Sequence, residues 1–375
     1  MKENLSISVK IDDVFVFCGY FSLYNNQGMF KYDDAYLENS KAYPLDPINL
    51  PLSKTPYITN INKGYFGVFY DMMPQGWNRY ILEKNNETIS LKKHFITNNL
   101  IQINNINIQK SYLQENQLAD YIKYIVKAYN PKNEKEEIEA ENVTIVSPIG
   151  GFRPKIMVQY DNRFWIAKFS KFSDNYNMPL VEHAMSTLAK KCGIDVPNTM
   201  VKQYGDDFVF FSEFFVKEHI FLSGGTLLKR DAEADFPDKS YNYEDLYKLS
   251  SSKDFFKRIL FSVATKNLDD HVWNIGYLFD GSELELSPMY DMMPFSSDEC
   301  VLNGYVNNMN RFHDLNELLA CCNSFNIDVN ECLETIAILQ KWKEHFTECG
   351  VDISDIAYLI DSFTLVDSFV NEEQS

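Results

Sequence analysis

The sequence predicts an α+β protein with two lobes, in which β-rich segments fill the first part of the chain and helical segments the last part. Up to about residue 217, short apolar or alternating runs are separated by turn residues, which is typical of strands. From about residue 243 onward, apolar residues recur at helical spacing. The predicted helices are Tyr243–Leu249, Asp254–Ala264, Asp314–Cys322, Val329–Glu344 and Ile353–Phe363.

The amino-terminal part begins with a predicted hairpin, in which Val14–Tyr20 and Met29–Tyr32 are strands and 25–28 is the turn. The spacing of apolar residues then predicts a short amphipathic helix over Trp77–Lys84. Leu118–Tyr129 has helical spacing, and 131–142 is charged and lacks aromatic residues, as a linker would. We predict four parts: a β-rich unit at 1–115, a helix and charged linker at 116–142, a small lobe at 143–217 and a helical large lobe at 218–375.

The composition excludes several classes of protein. The chain has 375 residues and a net charge of −18, which argues against broad nucleic-acid binding because phosphate contacts need clustered Lys and Arg. It has no run of about 18 apolar residues and no apolar core of a signal peptide, so we expect a cytoplasmic protein without a membrane span. Seven cysteines without metal-ligand spacing suit reduced thiols.

Four features follow one another in the predicted small lobe. Gly150 and Gly151 lie between two predicted strands, where a glycine pair lets backbone N–H groups approach an anion, although it also suits a simple tight turn. Lys168 lies among apolar residues of the predicted strand 164–171. A buried lysine needs anionic partners, whereas a surface lysine would extend into water.

The third and fourth features are a helix and a very apolar strand. Glu182 lies near the start of the predicted helix Leu180–Cys192, where it could pair with Lys168 or could be a first-turn residue favoured by the helix dipole. Glu213 lies in the apolar segment 208–217, which suits either a hinge strand against which an adenine ring packs or an ordinary core strand.

The segment 264–295 carries the strongest chemical signal. Asn274 opens a predicted hairpin formed by Ile275–Phe279, a turn at 280–282 and Leu284–Leu286, and Asp291 follows that hairpin. The two side chains are therefore expected to lie close together, and a carboxylate with an amide oxygen suits Mg²⁺.

Asp269 precedes Asn274 by five residues, which is the spacing of the catalytic Asp and the metal-binding Asn in protein kinases. This spacing predicts Asp269 as the base that accepts a hydroxyl proton, with His271 as an orienting residue. Asp, Asn and His are also common in turns for reasons unrelated to catalysis.

Taken in order, these segments resemble those of the HipA family, bacterial serine/threonine kinases that are the toxins of toxin–antitoxin pairs. The matching segments are FGVFYDMMPQGWNR (66–79), SPIGGFRPK (147–155), LDDHVWN (268–274) and SPMYDMM (287–293). The resemblance spans roughly residues 10–295 and implies a kinase-like fold with an additional amino-terminal unit.

The resemblance also implies a role for each matching residue. Asp269 would be the base, Asn274 and Asp291 would hold Mg²⁺, and Lys168, supported by Glu182, would contact the ATP phosphates. Further nucleotide-binding residues would be Gly150, Gly151 and Arg153 in the phosphate loop and Glu213 and Phe215 in the hinge. Family members usually act with a small helix-turn-helix antitoxin that supplies DNA binding, and their known substrates include an aminoacyl-tRNA synthetase.

The sequence departs from the family pattern at two positions. Pro148 stands where members commonly have an autophosphorylated serine, and Ser147 lies one residue earlier. Proline also stiffens the loop by fixing φ. Asp270 stands where members often have glycine, so two carboxylates are adjacent, and their repulsion should favour pairing of one of them.

Three functions are compatible with this sequence. The first is an active Mg²⁺-dependent protein kinase acting as a toxin, the second a catalytically silent scaffold that binds an antitoxin or a regulator, and the third a kinase of small molecules. The string YDMMP occurs at 70–74 and again at 290–294. We expect only Asp291 to bind metal and Asp71 to act as a turn-forming or helix-start residue, since Asp71 has no acidic or amide partner at comparable spacing.

Overall fold

The structure of the chain is a computed structural model. It describes residues 2–84, 86–94, 100–104, 112–122, 151, 153–171, 173–234, 240–296, 303–306 and 314–370. Gly150, Ser147, Pro148 and the predicted linker 131–142 lie outside these residues, as does most of the predicted helix Leu118–Tyr129.

The chain packs into two compact units that do not follow chain order. The first contains Met1–Ala167, Phe214–Asp238 and Gly276–Glu285, and the second contains Lys168–Glu213, Lys239–Ile275 and Leu286–Ser375. The predicted boundaries at 115, 142 and 217 stay predictions about domains.

The first unit contains most of the strands. They are β1 (Lys2–Ile11), β2 (Val14–Tyr24), β3 (Gln27–Tyr32), β4 (Tyr57–Thr59), β5 (Ile101–Ile103), β6 (Leu113–Gln114), β7 (Lys155–Tyr160), most of β8 (Arg163–Phe169), β11 (Ile220–Ser223), β13 (Gly276–Phe279) and nearly all of β14 (Leu284–Leu286). Its helices are α1 (Asp34–Leu37), α2 (Gly67–Asp71), α3 (Gly76–Lys84), α4 (Leu91–His94) and α6 (Gly224–Leu227), with 3₁₀ turns at Ile61–Gly64 and Glu115–Gln117.

The strands of the first unit form three groups. A five-stranded sheet has the order β4-β3-β2-β1-β5, a three-stranded sheet has the order β11-β13-β14, and β6, β7 and β8 are neighbours in that order in a further sheet. The predicted amino-terminal hairpin is present, with a tighter turn at Asn25 and Asn26, both of positive φ. On the buried side of the larger sheet, aromatic rings pack on one another, namely Phe21, Phe30, Phe66 and Phe69.

The second unit is mostly helical. Its helices are α5 (Met178–Lys191), α7 (Tyr243–Ser250), α8 (Phe255–Ala264), α9 (Leu315–Leu319), α10 (Val329–Leu339), α11 (Trp342–Glu348), α12 (Ile353–Leu359) and α13 (Thr364–Asp367). It also contains β9 (Thr199–Tyr204), β10 (Asp207–Glu213), β12 (Tyr241–Asn242), β15 (Gly304–Tyr305) and 3₁₀ turns at Val272–Asn274, Cys322–Phe325 and Ile360–Phe363. Strands β9 and β10 are antiparallel, and β12 and β15 are parallel.

Several predicted helices are shorter in the structure. The segment Val329–Glu344 is two helices, because the backbone leaves the helical region at Lys341, the residue before α11. Helix α9 ends at Leu319 and α12 at Leu359, each followed by a 3₁₀ turn. Tertiary packing decides these breaks, for example where Trp342 stacks on Phe363 with ring centroids 3.9 Å apart.

Helix α5 matches its prediction closely and carries Glu182. The Asn177 side chain caps its first turn by accepting a hydrogen bond from the backbone N–H of Leu180 at 3.3 Å. Gly193, with φ +77°, follows its end and adopts the left-handed conformation that often terminates helices.

Candidate active site

Lys168 is the centre of an ion-paired cluster in the second unit. It lies on β8, and its Nζ donates to Glu182 Oε1 and to Asp291 Oδ1, the latter at 2.6 Å. Its side chain is 5% exposed. Burial alone would lower the pKa of Lys168, but the carboxylates of Asp291 and Glu182 more than offset this and raise the pKa to about 12. The lysine is therefore a buried, charged group.

Glu182 reaches this cluster from α5. It lies beyond the first turn of the helix and is almost completely buried, so the alternative of a first-turn residue favoured by the helix dipole is wrong. Lys168 and Glu182, which are 14 residues apart, therefore come together from a strand and a helix. The cost of burying their charges is offset because each charge has an opposite partner.

Asp291 comes from an irregular segment after β14. Its φ of +59° is in the left-handed region, which Asp adopts more readily than most residues. Asn267 Oδ1 accepts from the backbone N–H of Met293 at 3.0 Å, and the Lys266 carbonyl accepts from Phe295 N–H at 3.0 Å. These two bonds attach the segment to the residues just before Asp269.

The segment containing Asp269 is folded on itself. The Asp269 carbonyl accepts from the backbone N–H of His271 at 2.9 Å and from Nδ2 of Asn274 at 2.7 Å. The side chain of Asp269 is 53% exposed, and its Oδ1 lies 3.6 Å from Nε2 of His271. Asp269 is thus exposed and lies beside His271. The roles of base and orienting residue stay predictions.

Asp270 has surroundings unlike those of its neighbour. It is buried, its Oδ2 accepts a hydrogen bond from the hydroxyl of Tyr243, and the Tyr241 hydroxyl lies 3.4 Å from its carbonyl oxygen. Burial raises the pKa of the Asp270 carboxyl to about 6, against the effect of the tyrosine hydrogen bonds. The predicted pairing of one of the two adjacent carboxylates is therefore present.

A small cavity of about 30 Å³ joins these elements within the second unit. The chemically active side chains that line it are Asn267, Asp269, Asp270, Asn274 and Asp291. The prediction that the hairpin brings Asn274 and Asp291 together agrees with this geometry. The catalytic and metal-binding roles of these residues stay predictions.

The other predicted nucleotide-binding residues are divided between the units. In the first unit, the Gly151 carbonyl accepts from the backbone N–H of Trp77 at 2.9 Å. Gly76 has φ +53° and packs so closely on Gly151 that a Cβ at residue 76 would clash with its backbone. Arg153 and Phe215 are half-buried residues of the same unit.

Glu213 belongs to the second unit. It ends β10 and accepts from Nδ2 of Asn198 at 2.7 Å. The predicted strand over 208–217 is therefore too long, since it stops at this residue. The chain beyond it is irregular as far as β11.

Asp71, in the other copy of YDMMP, has a structural environment. It is the last residue of α2, not a helix-start residue, and it is buried. Its carboxylate accepts from Ser223 N–H at 2.7 Å and from the Ser223 hydroxyl at 2.9 Å. Burial raises the pKa of Asp71 to about 6. The carboxylate thereby holds the start of α6, whose N-cap is Ser223.

Sequence reasoning missed two residues that shape the site. Asn267 is buried, bonds Met293 and donates to the Ser262 hydroxyl at 3.3 Å, and Tyr243 holds Asp270. For Asn267, the available signal is a polar residue two positions before the candidate base. Tyr243 gives no local signal, because its contact depends on where α7 packs.

The donor set fits Mg²⁺. Asn274 donates its Nδ2 hydrogen to a backbone carbonyl, so its amide oxygen is the atom suited to a cation, and Asp291 provides a carboxylate. A hard ion that keeps several waters and binds one or two protein oxygens together with phosphates suits these donors. Among the described residues, no group of three or more His, Cys, Asp or Glu is placed to hold a metal.

Comparison with known structures establishes the fold. The chain is similar to HipA in the complex of HipA, HipB and operator DNA of the Shewanella oneidensis MR-1 toxin–antitoxin system, with a TM-score of 0.65 and 15% identity over 96% of this chain and 95% of that chain. The predicted α+β, kinase-like fold is confirmed. The Helicobacter pylori proinflammatory kinase CtkA also matches, with 16% identity over 57% of this chain and 94% of that chain, but a TM-score of 0.37 adds nothing to the assignment.

Sequence models of protein families establish the family. Residues 147–346 match the HipA-like C-terminal domain and residues 9–96 match the HipA N-terminal domain. The first match alone covers more than half of the chain, so the chain belongs to the HipA family. No curated protein matches it in sequence. In the part of the chain that the structure describes, no helix is both long and apolar enough to cross a membrane.

Proposed function

We propose that this chain is an ATP- and Mg²⁺-dependent serine/threonine protein kinase that acts as the toxin of a toxin–antitoxin pair. The observation that carries the proposal is the buried Lys168, which pairs with Glu182 from a helix and with Asp291 from the predicted metal motif. A strand lysine paired with a helix glutamate is the arrangement that protein kinases use to position ATP phosphates. Buried ion pairs are weak evidence for a purely stabilising role, because apolar residues that replace the whole set often stabilise a fold equally well.

The residues of the second unit divide the work of phosphoryl transfer. Lys168 binds the phosphates, and Glu182 keeps its ammonium group in place. Asp269, which is exposed, accepts the proton of the attacking hydroxyl, and His271 orients that carboxylate. Asn274 and Asp291 hold Mg²⁺, which neutralises charge on the phosphates when bound.

The remaining nucleotide contacts belong to the same proposal. Gly150, Gly151 and Arg153 form the phosphate loop, and Glu213 and Phe215 form the hinge beside the adenine. Gly151 packs tightly against Gly76, which restricts the backbone at residue 151. A backbone that is already restricted can present its N–H group to phosphate at little entropic cost.

The partner is a small helix-turn-helix antitoxin that binds DNA. The HipA in the matching structure is in complex with HipB and operator DNA, which supports such a partner here. With a net charge of −18, this chain would reach DNA through that partner. The substrate is a protein hydroxyl, and the family resemblance favours a translation protein such as an aminoacyl-tRNA synthetase.

The test compares the two aspartates that lie in identical YDMMP strings. Asp291→Asn removes a charge that holds the metal, so Mg²⁺-dependent phosphate transfer from ATP to cellular proteins should be abolished. Because Lys168 then keeps only Glu182 as a charged partner, the melting temperature should fall, but the variant should remain folded. Asp71→Asn loses one acceptor at Ser223, so it should lower stability by about 1–3 kcal/mol and leave activity per folded molecule nearly intact. Phosphoproteomics of cells expressing the chain would identify the acceptor.

Two results would contradict the proposal. A well-folded but inactive Asp71→Asn protein would overturn the assignment of the two aspartates. Nucleotide binding by the native chain without transfer to any protein would favour the catalytically silent scaffold, and transfer only to metabolites would favour the small-molecule kinase.

A further inference from the structure

A second cavity lies in the second unit, apart from the residues of the proposed reaction. Its volume is about 450 Å³, which is within the range of small-molecule sites. Helix α5 forms one wall, and α10, α11 and Lys341 between them form the other. The lining residues are Leu188, Lys191, Ala337, Ile338, Lys341, Glu344, His345 and Glu348.

His345 is the buried polar group of this cavity, with its side chain 6% exposed. Its Nε2 lies 3.2 Å from the carbonyl oxygen of Ala184 and 3.0 Å from the hydroxyl of Thr187. That hydroxyl donates to the His183 carbonyl at 2.8 Å. Because a carbonyl only accepts, Nε2 carries the ring proton.

The other ring nitrogen of His345 is therefore an acceptor. Burial, and then the charge of Lys191, lower the pKa of His345, so the ring is neutral at pH 7 and Nδ1 has a lone pair. Within the described part of the chain, Nδ1 has no hydrogen-bond partner. A buried acceptor without a donor is costly, so Nδ1 favours a ligand that brings one.

Glu348 lies next to this nitrogen. Its Oε2 is 3.9 Å from Nδ1, too far for a direct hydrogen bond, and both atoms are acceptors. One ammonium group placed between them can donate to both. Glu348 also pairs with Lys191 Nζ at 3.2 Å across the cavity.

The rest of the lining has both signs of charge and three aliphatic residues. Lys341 can bind a carboxylate, whereas Lys191 already pairs with Glu348, and Glu344 is a second acidic group. The aliphatic residues are Leu188, which is buried, and Ala337 and Ile338, which are more exposed. This combination is selective for a molecule that has an ammonium group, a carboxylate and an aliphatic body. A simple anion or cation would leave one set of charges without a partner.

We propose that this cavity binds a free aliphatic α-amino acid. Its ammonium group lies between His345 Nδ1 and Glu348 Oε2, its carboxylate is bound by Lys341, and its side chain packs on Ala337 and Ile338. Nothing in this proposal depends on phosphate transfer, so it can fail or hold independently of the kinase assignment.

The experiment is calorimetric titration of the full chain with leucine, isoleucine, valine and methionine. Two analogues of leucine are the comparison: 4-methylpentanoate, which lacks the ammonium group, and 3-methylbutylamine, which lacks the carboxylate. We expect saturable binding of at least one amino acid, and at least about tenfold weaker binding of both analogues of leucine where leucine binds. The absence of saturable binding by all four amino acids, or analogue binding equal to that of leucine, would overturn the proposal.

Variants then locate the site. Glu348→Gln and Lys341→Gln should each weaken binding at least about tenfold. Glu334→Gln, an exposed change on α10 outside the cavity, should leave binding unchanged. Unchanged affinity in both cavity variants would overturn the assignment of the site.

His345→Phe removes the acceptor but could perturb folding, since Nε2 contacts α5. Nitrogen-15 NMR of the histidines in the native chain gives a second measurement that needs no variant. We expect the Nδ1 signal of His345 to shift toward the hydrogen-bonded range on addition of the amino acid. An unshifted signal at saturation would remove Nδ1 from the site.

Discussion

Asp269 and Asp270 are adjacent in the chain, and their carboxylates have opposite surroundings. Asp269 is 53% exposed beside His271, whereas Asp270 is buried and bonded by Tyr243. A carboxylate that takes a proton from a substrate must be reachable, and one that holds tyrosine hydroxyls must be enclosed. The same residue type is therefore accessible at one position and enclosed at the next.

The first prediction concerns Asp269. Because this carboxylate is proposed to act on the substrate hydroxyl and not on ATP, Asp269→Ala should lower turnover by about two or more orders of magnitude. Stabilisation of the chain by Mg²⁺ and a non-hydrolysable ATP analogue, measured by thermal melts, should persist. Asp361→Ala, an exposed change in the same unit, is the control. Loss of nucleotide binding as steep as the loss of turnover would contradict the role.

The second prediction concerns the pH dependence of stability at Asp270. Its pKa is about 6 in the folded chain and near the ordinary value of 3.8 when unfolded. Because its pKa is raised in the folded chain, the Asp270 carboxyl stabilises the fold fully below its unfolded pKa. This stabilisation is lost as pH rises through about 6.

Asp270→Asn should remove that pH dependence. The amide resembles the protonated carboxyl and can still accept from Tyr243, so the variant should match or exceed the native chain in stability above pH 6, by at most about 3 kcal/mol. Urea unfolding at pH 5 and pH 8 measures the difference. A native chain and a variant with the same pH dependence would show that Asp270 is not the titrating group.

At the scale of elements, the two copies of YDMMP place their aspartates in different structural environments. Asp71 ends α2 and holds the N-cap residue of α6, with both carboxylate oxygens on Ser223. Asp291 lies in an irregular segment in the left-handed conformation and pairs with a buried lysine. Position relative to neighbouring elements, not the string itself, decides which chemistry is available.

The third prediction concerns Asn267, which connects the end of α8 to the segment of Asp291. Asn267→Ala leaves the backbone N–H of Met293 without its acceptor, so stability should fall by about 1–3 kcal/mol. The Mg²⁺ concentration for half-maximal turnover should rise, because Asp291 is less firmly placed. Urea unfolding and a Mg²⁺ titration measure the two effects.

Asn323→Ala, an exposed change in the Cys322–Phe325 turn, is the matched control for Asn267→Ala and should alter neither quantity. An Asn267→Ala protein with a normal Mg²⁺ requirement would show that the bond to Met293 stabilises the fold without positioning Asp291.

At the scale of the whole molecule, charge and family membership point to a chain that works with a partner. The two family matches cover residues 9–96 and 147–346, and the net charge is −18. An acidic chain repels DNA phosphates, which is consistent with the proposal that the antitoxin provides the DNA contact.

The fourth prediction is a growth phenotype. Expression of the chain alone should slow bacterial growth only while Asp269 and Asp291 are intact, because phosphate transfer is the proposed cause. Co-expression of the antitoxin partner should relieve the arrest. The measurement is the growth rate with the native chain and with an Asp269→Ala, Asp291→Asn double variant at equal expression. Equal toxicity of the two would show that binding or misfolding, not phosphorylation, is responsible.

Much of this protein is determined locally and can be read from the sequence. The hairpins 14–32 and 276–286 and helix α5 depend on apolar period and turn residues within a few positions, and so they were predictable. Asn274 and Asp291 lie at the two ends of one predicted hairpin, which sufficed to predict that they lie close together, and both line the small cavity with Asp269.

Only the tertiary structure decided the contacts between distant segments. Four features depend on neighbours many residues away. They are the pairing of Lys168 with Glu182 in place of a dipole role for Glu182, the enclosure of Asp270 by Tyr243, the bond from Asn267 to Met293 and the break between α10 and α11. Hydrophobic period and secondary-structure propensity describe a single segment and its faces. Burial of a charge or a break in a helix depends instead on which other segment packs there. For this reason the sequence predicts the candidate residues, and the packing determines their environments.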